Sequence, residues 1–422
     1  MKLLTITISI LVVTVAIPSL AQDQSLSKAE NESPPRFGSP DQVDNLIEAD
    51  ESSISRTIEK RAFEPYFQWK KGVQEKYGLA FGVDYSMAYA AASDNPPSAE
   101  DSAGSGIGRF FGSWELVGRE SGNTGAFVWK MEHRHSYTDI PVSAFGFNLG
   151  YAGLMEAPFS DQGFRWTNLY WRQSLNEKRI TLLGGFLDAT DYVDVYALAS
   201  PWTGFLNFAF STGTLTIPLP NDATLGAAAG AMATDTIFLI GGLVDRNSDP
   251  TDPFEGFDTF FSDNEYFKSI EIGWTPSQDR IYLDNAHLTF WHADERTKAG
   301  EPDGWGFNIS YSRYLAEKWM PFIRAGYAKD GGSLMQKSVS LGFGYQPVPK
   351  GDLLGLGFNW GEPNEDTFSP GLRDQYTAEI FYRWQLAPQF AITPDVQLLI
   401  DPALNPEEDQ LWIFGLRARL AL

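Results

Sequence analysis

The chain has no cysteine and only four histidines among 422 residues. A disulfide scaffold, a thiol nucleophile and any thiolate metal site are therefore excluded. Cationic residues are scarce, 32 Lys+Arg against 54 Asp+Glu, for a formal charge of −22. Duplex nucleic acid is a poor partner for such a surface, because that binding rests on neutralising phosphates. Long apolar runs are lacking too. Leu3 to Ile17 is the one extended stretch. It follows the charged Lys2 and precedes Ser19, Leu20 and Ala21, a small-x-small pattern. Residues 1–21 therefore read as a signal peptide, with the mature chain expected to begin at Gln22 and to carry −23 once Lys2 is removed. After it no apolar run reaches the ~18 residues a spanning helix needs. An exported soluble protein or a membrane β-barrel remains. No glycine-rich phosphate loop and no Gly-x-Ser-x-Gly elbow is present.

What is abundant suits strands. Aromatics are 14% and glycines number 39, a composition of strands, tight turns and interfacial rings. Residues 22–63 are polar and acidic, with Pro34 and Pro35, and read as a flexible or coiled-coil periplasmic extension. Within it Val43, Leu46, Ile47, Ile54 and Ile58 recur near helical spacing, so a small subunit-joining coiled coil and a solvated tether are both open. Residues 64–77 read as an amphipathic helix anchored by Phe67, Trp69 and Val73.

From residue 78 to residue 422 the texture is uniform: segments of period two separated by turn-like clusters. In the last, Trp412, Phe414, Leu416, Ala418, Leu420 and Leu422 alternate with Gly415, Arg417 and Arg419. Tyr376, Ala378, Ile380, Tyr382, Trp384 and Leu386 alternate with Gln375, Thr377, Glu379, Arg383 and Gln385, Phe381 being out of phase. Such segments are longer than the ~5–6 residues of a soluble strand and match a tilted membrane span. Trp and Tyr gather at their ends, as interfacial girdles require. Tight connections (Gly122 to Thr124, Asn176 to Lys178, Ala387 and Pro388) alternate with long ones (92–105, 246–266, 361–373). The reading is an all-β transmembrane antiparallel barrel of about sixteen strands, wide enough for an aqueous channel. A soluble sandwich or propeller is the competing fold, and no blade-length repeat supports it.

Four stretches carry a family likeness. FQWKKGVQEKYGL (67–79) resembles the pre-barrel helix of the carbohydrate-selective porins of bacterial outer membranes. GGFLDATDYVDVYALASPWTGFLNFAF (184–210) is similar to that family's Asp- and aromatic-rich segment after a strand. LAPQFAITPDVQLLIDP (386–402) and LWIFGLRARLAL (411–422) resemble its last two strands. The resemblance implies a barrel, often a homotrimer in outer-membrane lipid, that passes sugars by diffusion, with no cofactor and no enzymatic role. The chain departs from outer-membrane barrels in ending on Leu422 where an aromatic is common.

A sugar channel needs polar groups for hydroxyls and aromatic faces for ring C–H surfaces, in sites weak enough to release the solute. Parity puts Lys130, Glu132, Arg134, Arg324, Glu379, Arg383, Gln385, Arg417 and Arg419 on polar, lumen-facing sides. Residues 188–219 hold Asp188, Asp191, Asp194, Trp202 and Asn207 with little alternation, and read as an inward-folded constriction. A general or ion-selective channel is the alternative solute class. A barrel enzyme or a lectin has no supporting constellation, and pairs such as Asp263 and Glu265 do not make a glycosidase without a separation in space. His133 and His135 share a strand face, a thin basis for a zinc site. The acid-rich stretch 245–265 reads as a solvated loop more readily than as a Ca²⁺ site.

Overall fold

The computed structural model describes residues 37–97 and 99–422. The expected signal peptide and the start of the acidic extension lie outside the described residues.

Two helices precede the sheet: α1 (Val43–Ser52) and α2 (Glu64–Tyr77). Then come β1 (Leu79–Ala92), β2 (Ser102–Val117), β3 (Gly125–Ser136), α3 (Val142–Asn148), β4 (Gly163–Leu175) and β5 (Ile180–Leu187). They are followed by β6 (Thr224–Met232), β7 (Ile237–Asp245), α4 (Gly256–Ser262), β8 (Tyr266–Trp274), β9 (Asn285–Ala293) and β10 (Gly304–Ser312). The chain closes with β11 (Trp319–Asp330), β12 (Met335–Tyr345), β13 (Leu353–Pro363), β14 (Gln375–Ala387), β15 (Phe390–Ile400) and β16 (Gln410–Ala421). Every strand pairs antiparallel with its neighbours in sequence, and β1 closes on β16 through a register running from Asp84 with Ala421 to Ala92 with Ile413. Sixteen strands thus form one closed barrel, which leaves no edge. No described helix is long and apolar enough to cross a membrane.

Alternation sets the two faces. Ile309, Ile323, Leu341, Phe358, Ile380 and Phe414 are exposed on the outer wall, while their neighbours Ser310, Arg324, Ser340, Asn359, Glu379 and Ile413 are buried inside. An aliphatic belt outside and a mostly polar lining inside is what a lipid-embedded wall demands. Aromatic rings bound the belt: Trp319 lies 4.3 Å from Tyr345 at the turn end, and Trp305 lies 5.8 Å from Tyr327 at the loop end. Phe381 breaks the alternation because it points inward, its ring 5.0 Å from that of Phe205.

The two rims differ. Turns such as 176–179 and 388–389 close one end, whereas 137–162, 188–223 and 246–265 are long connections at the other. Helix α2 sits at the turn end and meets the outer wall, where Trp69 packs edge-on against Phe81 at 5.9 Å. It stops at Gly78, whose φ of +71° suits glycine and whose N–H returns to the Gln74 carbonyl at 2.8 Å.

The acidic extension takes a different place from the tether or coiled coil its sequence suggests. Helix α1 is inside the barrel, its Val43, Leu46 and Ile47 buried in one cluster with Phe111, Val128 and Tyr170 of the inner wall. Helical spacing gives one apolar stripe, and the inner wall provides the surface that covers it.

Candidate functional site

After β5 the chain does not turn back into a hairpin. Asp188 accepts a hydrogen bond from the Thr190 amide at 2.9 Å, and residues 188–223 then cross the lumen. Opposite-wall side chains hold this loop in place. Arg324 of β11 donates to Asp194 Oδ2 at 2.5 Å and to the Ser211 carbonyl at 2.5 Å, and His287 of β9 meets Asp194 Oδ1 at 2.8 Å. Glu379 of β14 accepts from the backbone amides of Leu206 and Asn207 at 2.7 and 2.9 Å. Asn207 donates to Gln397 at 3.1 Å, and Arg417 donates to the carbonyls of Pro201 and Gly204. Apolar packing adds to this: Tyr196, Phe205 and Phe210 cluster with Phe322 and Phe381 of the wall. Gly357 makes room, since a Cβ there would lie 2.7 Å from the Phe210 ring. A non-glycine residue with φ of +48°, Asp194, is kept in that conformation by these contacts.

The loop divides the lumen. On its loop-end side lies a cavity of about 550 Å³, edged by Lys130, Glu132, Arg134, Arg165, Asp188 and Asp222 on one side and by Trp202, Phe208, Leu215 and Ile217 on the other. Toward the turns, beside α1, lies a smaller cavity of about 100 Å³, edged by Arg383, Arg417 and Arg419. Trp202 and Asp41 border both spaces. The guanidinium of Arg109 stacks 3.6 Å from the Trp202 ring centre, and Asp84 pairs with Arg109, so the indole is fixed at the narrow point.

Charge in the upper cavity is arranged in a chain. Glu132 pairs with Arg134 at 2.6 Å, Arg134 with Asp222 at 2.9 Å, and Asp222 with Arg165 at 2.8 Å. Lys130 reaches Asp191 at 3.6 Å. Burial pushes the Asp188 carboxyl up to about 6, reinforced by Asp222 and opposed by Lys130. Burial also raises Asp191 well above the usual carboxylate range, against the pull of Lys130. At Asp222 burial acts in the same direction, but Arg134 and Arg165 outweigh it and hold the group low.

The thirteen residues singled out from sequence fall into two sets. Lys130, Glu132, Arg134, Asp188, Trp202, Arg383, Arg417 and Arg419 edge the two spaces. Asp191, Asp194, Asn207, Arg324 and Glu379 also point into the barrel, but they fasten the β5–β6 loop or its neighbours rather than edge a cavity. Arg165 and Arg172 escaped sequence reading for a definable reason. They have opposite parity in β4, and a register shift opposite Lys130 and Met131 turns both inward. His133 and His135 lie on the outer wall, with His135 Nε2 3.0 Å from the Tyr85 hydroxyl. In the acidic stretch, Asp245 accepts from Thr259 at 2.5 Å and Asp263 pairs with Lys298 at 2.8 Å. Among the described residues no cluster of three metal-ligating side chains occurs.

A closed sixteen-stranded barrel with a loop folded into a polar lumen is a porin-type fold. Residues 282–422 match the family model "Carbohydrate-selective porin, OprB family". The resemblance read from the last two strands is thus borne out. A porin, AaxA, of Chlamydia pneumoniae is 33% identical over 123 residues; the match spans 28% of this chain and 28% of that protein's length. The high-pH structure of Pseudomonas putida OprB superposes with a TM-score of 0.66 over 88% of this chain and 99% of that one, at 14% identity. The same protein's low-pH structure gives 0.51 over 88% of this chain and 100% of that one, at 12% identity. At such identities the likeness is one of fold.

Proposed function

We propose that the protein is a passive channel for carbohydrates across the outer membrane, and not an enzyme. The upper cavity carries the reading. Its ion-pair chain offers hydrogen-bond donors and acceptors for hydroxyls, and Trp202, Phe208 and Leu215 face them with apolar surface for ring C–H groups. Pairing leaves each charge partly satisfied, which favours brief contacts over capture. A general or ion-selective channel is the second reading, favoured by the arginines that edge the lower space. Liposomes loaded with the folded protein should swell in isosmotic mono- and disaccharides; swelling that follows solute size alone would favour the second reading, and its absence would refute both.

We propose further that the barrel works as a homotrimer. The support lies on the outer wall, where Gly104, Gly106 and Gly108 fall on the outward parity of β2 beside the hydrogen-bonded Tyr85, His135 and Tyr137. Such polar groups are better covered by protein than by acyl chains. Cross-linking in native membranes would show a threefold ladder, and monomer alone would contradict this assembly.

A further inference from the structure

The acidic extension is not absorbed by the channel reading, and its position is unexpected. Residues 37–53 run along the lumen from the β5–β6 loop toward the turn end. At the top, the Ser39 amide donates to the Asp191 carbonyl at 2.6 Å and Ser200 donates to Asp41 at 2.6 Å. In the middle, Asp44 pairs with Arg172 of β4, and Asp50 takes a two-pronged bond from Arg419 of β16 at 2.6 and 2.7 Å. Below α1, the Ile54 amide reaches the Lys350 carbonyl at 3.1 Å and the Ile58 amide reaches that of Leu386 at 3.0 Å. The segment therefore enters from the turn rim and ends beneath the loop.

Two observations say that this occupant is built for and yet removable. The inner wall carries an apolar patch, Phe111, Val128 and Tyr170, where a water-filled pore would be polar, and α1 covers it. A second fit is at Gly230, where a Cβ would come 2.7 Å from the Phe37 ring. Yet the barrel's ladder closes without the segment, since each of the sixteen strands pairs with two neighbouring strands. What holds α1 is side-chain ion pairs, a few loop hydrogen bonds and one apolar stripe. A ten-residue helix with no side-chain N-cap has little stability of its own.

We propose that residues 37–53 are a displaceable plug that closes the turn-side half of the pore. Seated, it lines a cavity of about 100 Å³ together with Arg383, Arg417 and Arg419. Withdrawn toward the turn rim, it takes Asp44 away from Arg172 and Asp50 away from Arg419, which keeps its pair with Asp84, so the turn-side lumen loses two carboxylates. The open state is therefore wider and also more selective for anions than the closed one. The inference rests on the channel reading.

The test uses the full chain, which has no cysteine of its own. The variant D41C/S200C places two thiols where a hydrogen-bonded pair now joins plug and loop. A short bis-methanethiosulfonate, which forms a disulfide with each thiol and releases sulfinate, pins the plug. In planar bilayers the cross-linked protein should stay at a small conductance, and the same variant before cross-linking should step to a level several times larger. D44N/D50N, which removes the carboxylate charge from both wall pairs, should raise occupancy of the large level at least tenfold and shift its reversal potential toward anions. A single level, unchanged by cross-linking and by D44N/D50N, would overturn the plug while leaving the channel intact. Folded barrels that conduct in none of these forms would overturn both.

Discussion

The β5–β6 loop is held chiefly from the far wall, so its strongest single fastening is a place to test the account. Arg324 makes three hydrogen bonds, to Asp194 Oδ2 at 2.5 Å, the Asp194 carbonyl at 2.8 Å and the Ser211 carbonyl at 2.5 Å. Its guanidinium also lies 4.3 Å from the Tyr196 ring centre. Although burial opposes it, Arg324 with His287 keeps the Asp194 carboxyl below the usual range. Arg324→Met removes the cation and leaves a buried carboxylate with only His287 and the Gly213 amide, at 2.8 and 2.7 Å. Breaking one partner out of a buried ion pair costs about 3–5 kcal/mol. The strand ladder does not depend on this pair, so the cost falls on docking of the loop. At about 1.4 kcal/mol per tenfold, 3 kcal/mol shifts the docked-to-undocked ratio by roughly 10². Single-channel recordings should show larger, noisier openings, while the unheated protein still migrates as a folded barrel. Asp194→Asn in the same chain should recover part of the loss, because it removes the stranded charge; a double-mutant cycle reads that coupling. Unchanged openings in R324M, or strictly additive effects with D194N, would refute the reasoning.

Other outcomes follow from the same geometry. Trp202→Ala removes the ring that borders both spaces and stacks on Arg109, so conductance should rise and sugar block should weaken several-fold; unchanged block would take Trp202 out of the permeation path. Asp188, pushed up to about 6, is largely charged at pH 7.5 and largely neutral at pH 5. Acidification across that range removes negative charge from a cavity that keeps Lys130, Arg134 and Arg165, so the cation-to-anion permeability ratio should fall with a midpoint near 6. In Asp188→Asn that step should flatten, and a persistent step would assign it to another group. Pinning the plug by D41C/S200C should hold the small conductance, as set out above.

The barrel was legible because period two is a local property of the chain. All sixteen strands are recognisable from alternation, though β2 starts at Ser102 rather than near residue 107 and β9 at Asn285 rather than near residue 280. Arg324, Glu379 and Arg417 are buried on the inward side of their strands, and Arg419 edges the lower space half-buried. Parity cannot cross an irregularity, and the register shift in β4 hid Arg165 and Arg172. Nor does it say what an inward charge meets. Asp194 finds Arg324 across 130 positions, and Glu379 finds the Leu206 amide across 173. Such pairings follow from closure of the barrel, not from neighbours in sequence. Helix α1 shows the same limit: its apolar stripe announces a covered face, and only the folded lumen shows what covers it.

The central claim, a channel with affinity for carbohydrates, is tested most directly by planar-bilayer recording of the purified, refolded full chain with a graded series of sugars on one side. The account predicts stepwise conductance that sugars reduce in a concentration-dependent way, with different sugars ranked differently. Folded barrels whose steps ignore every sugar, or that give no steps, would contradict it.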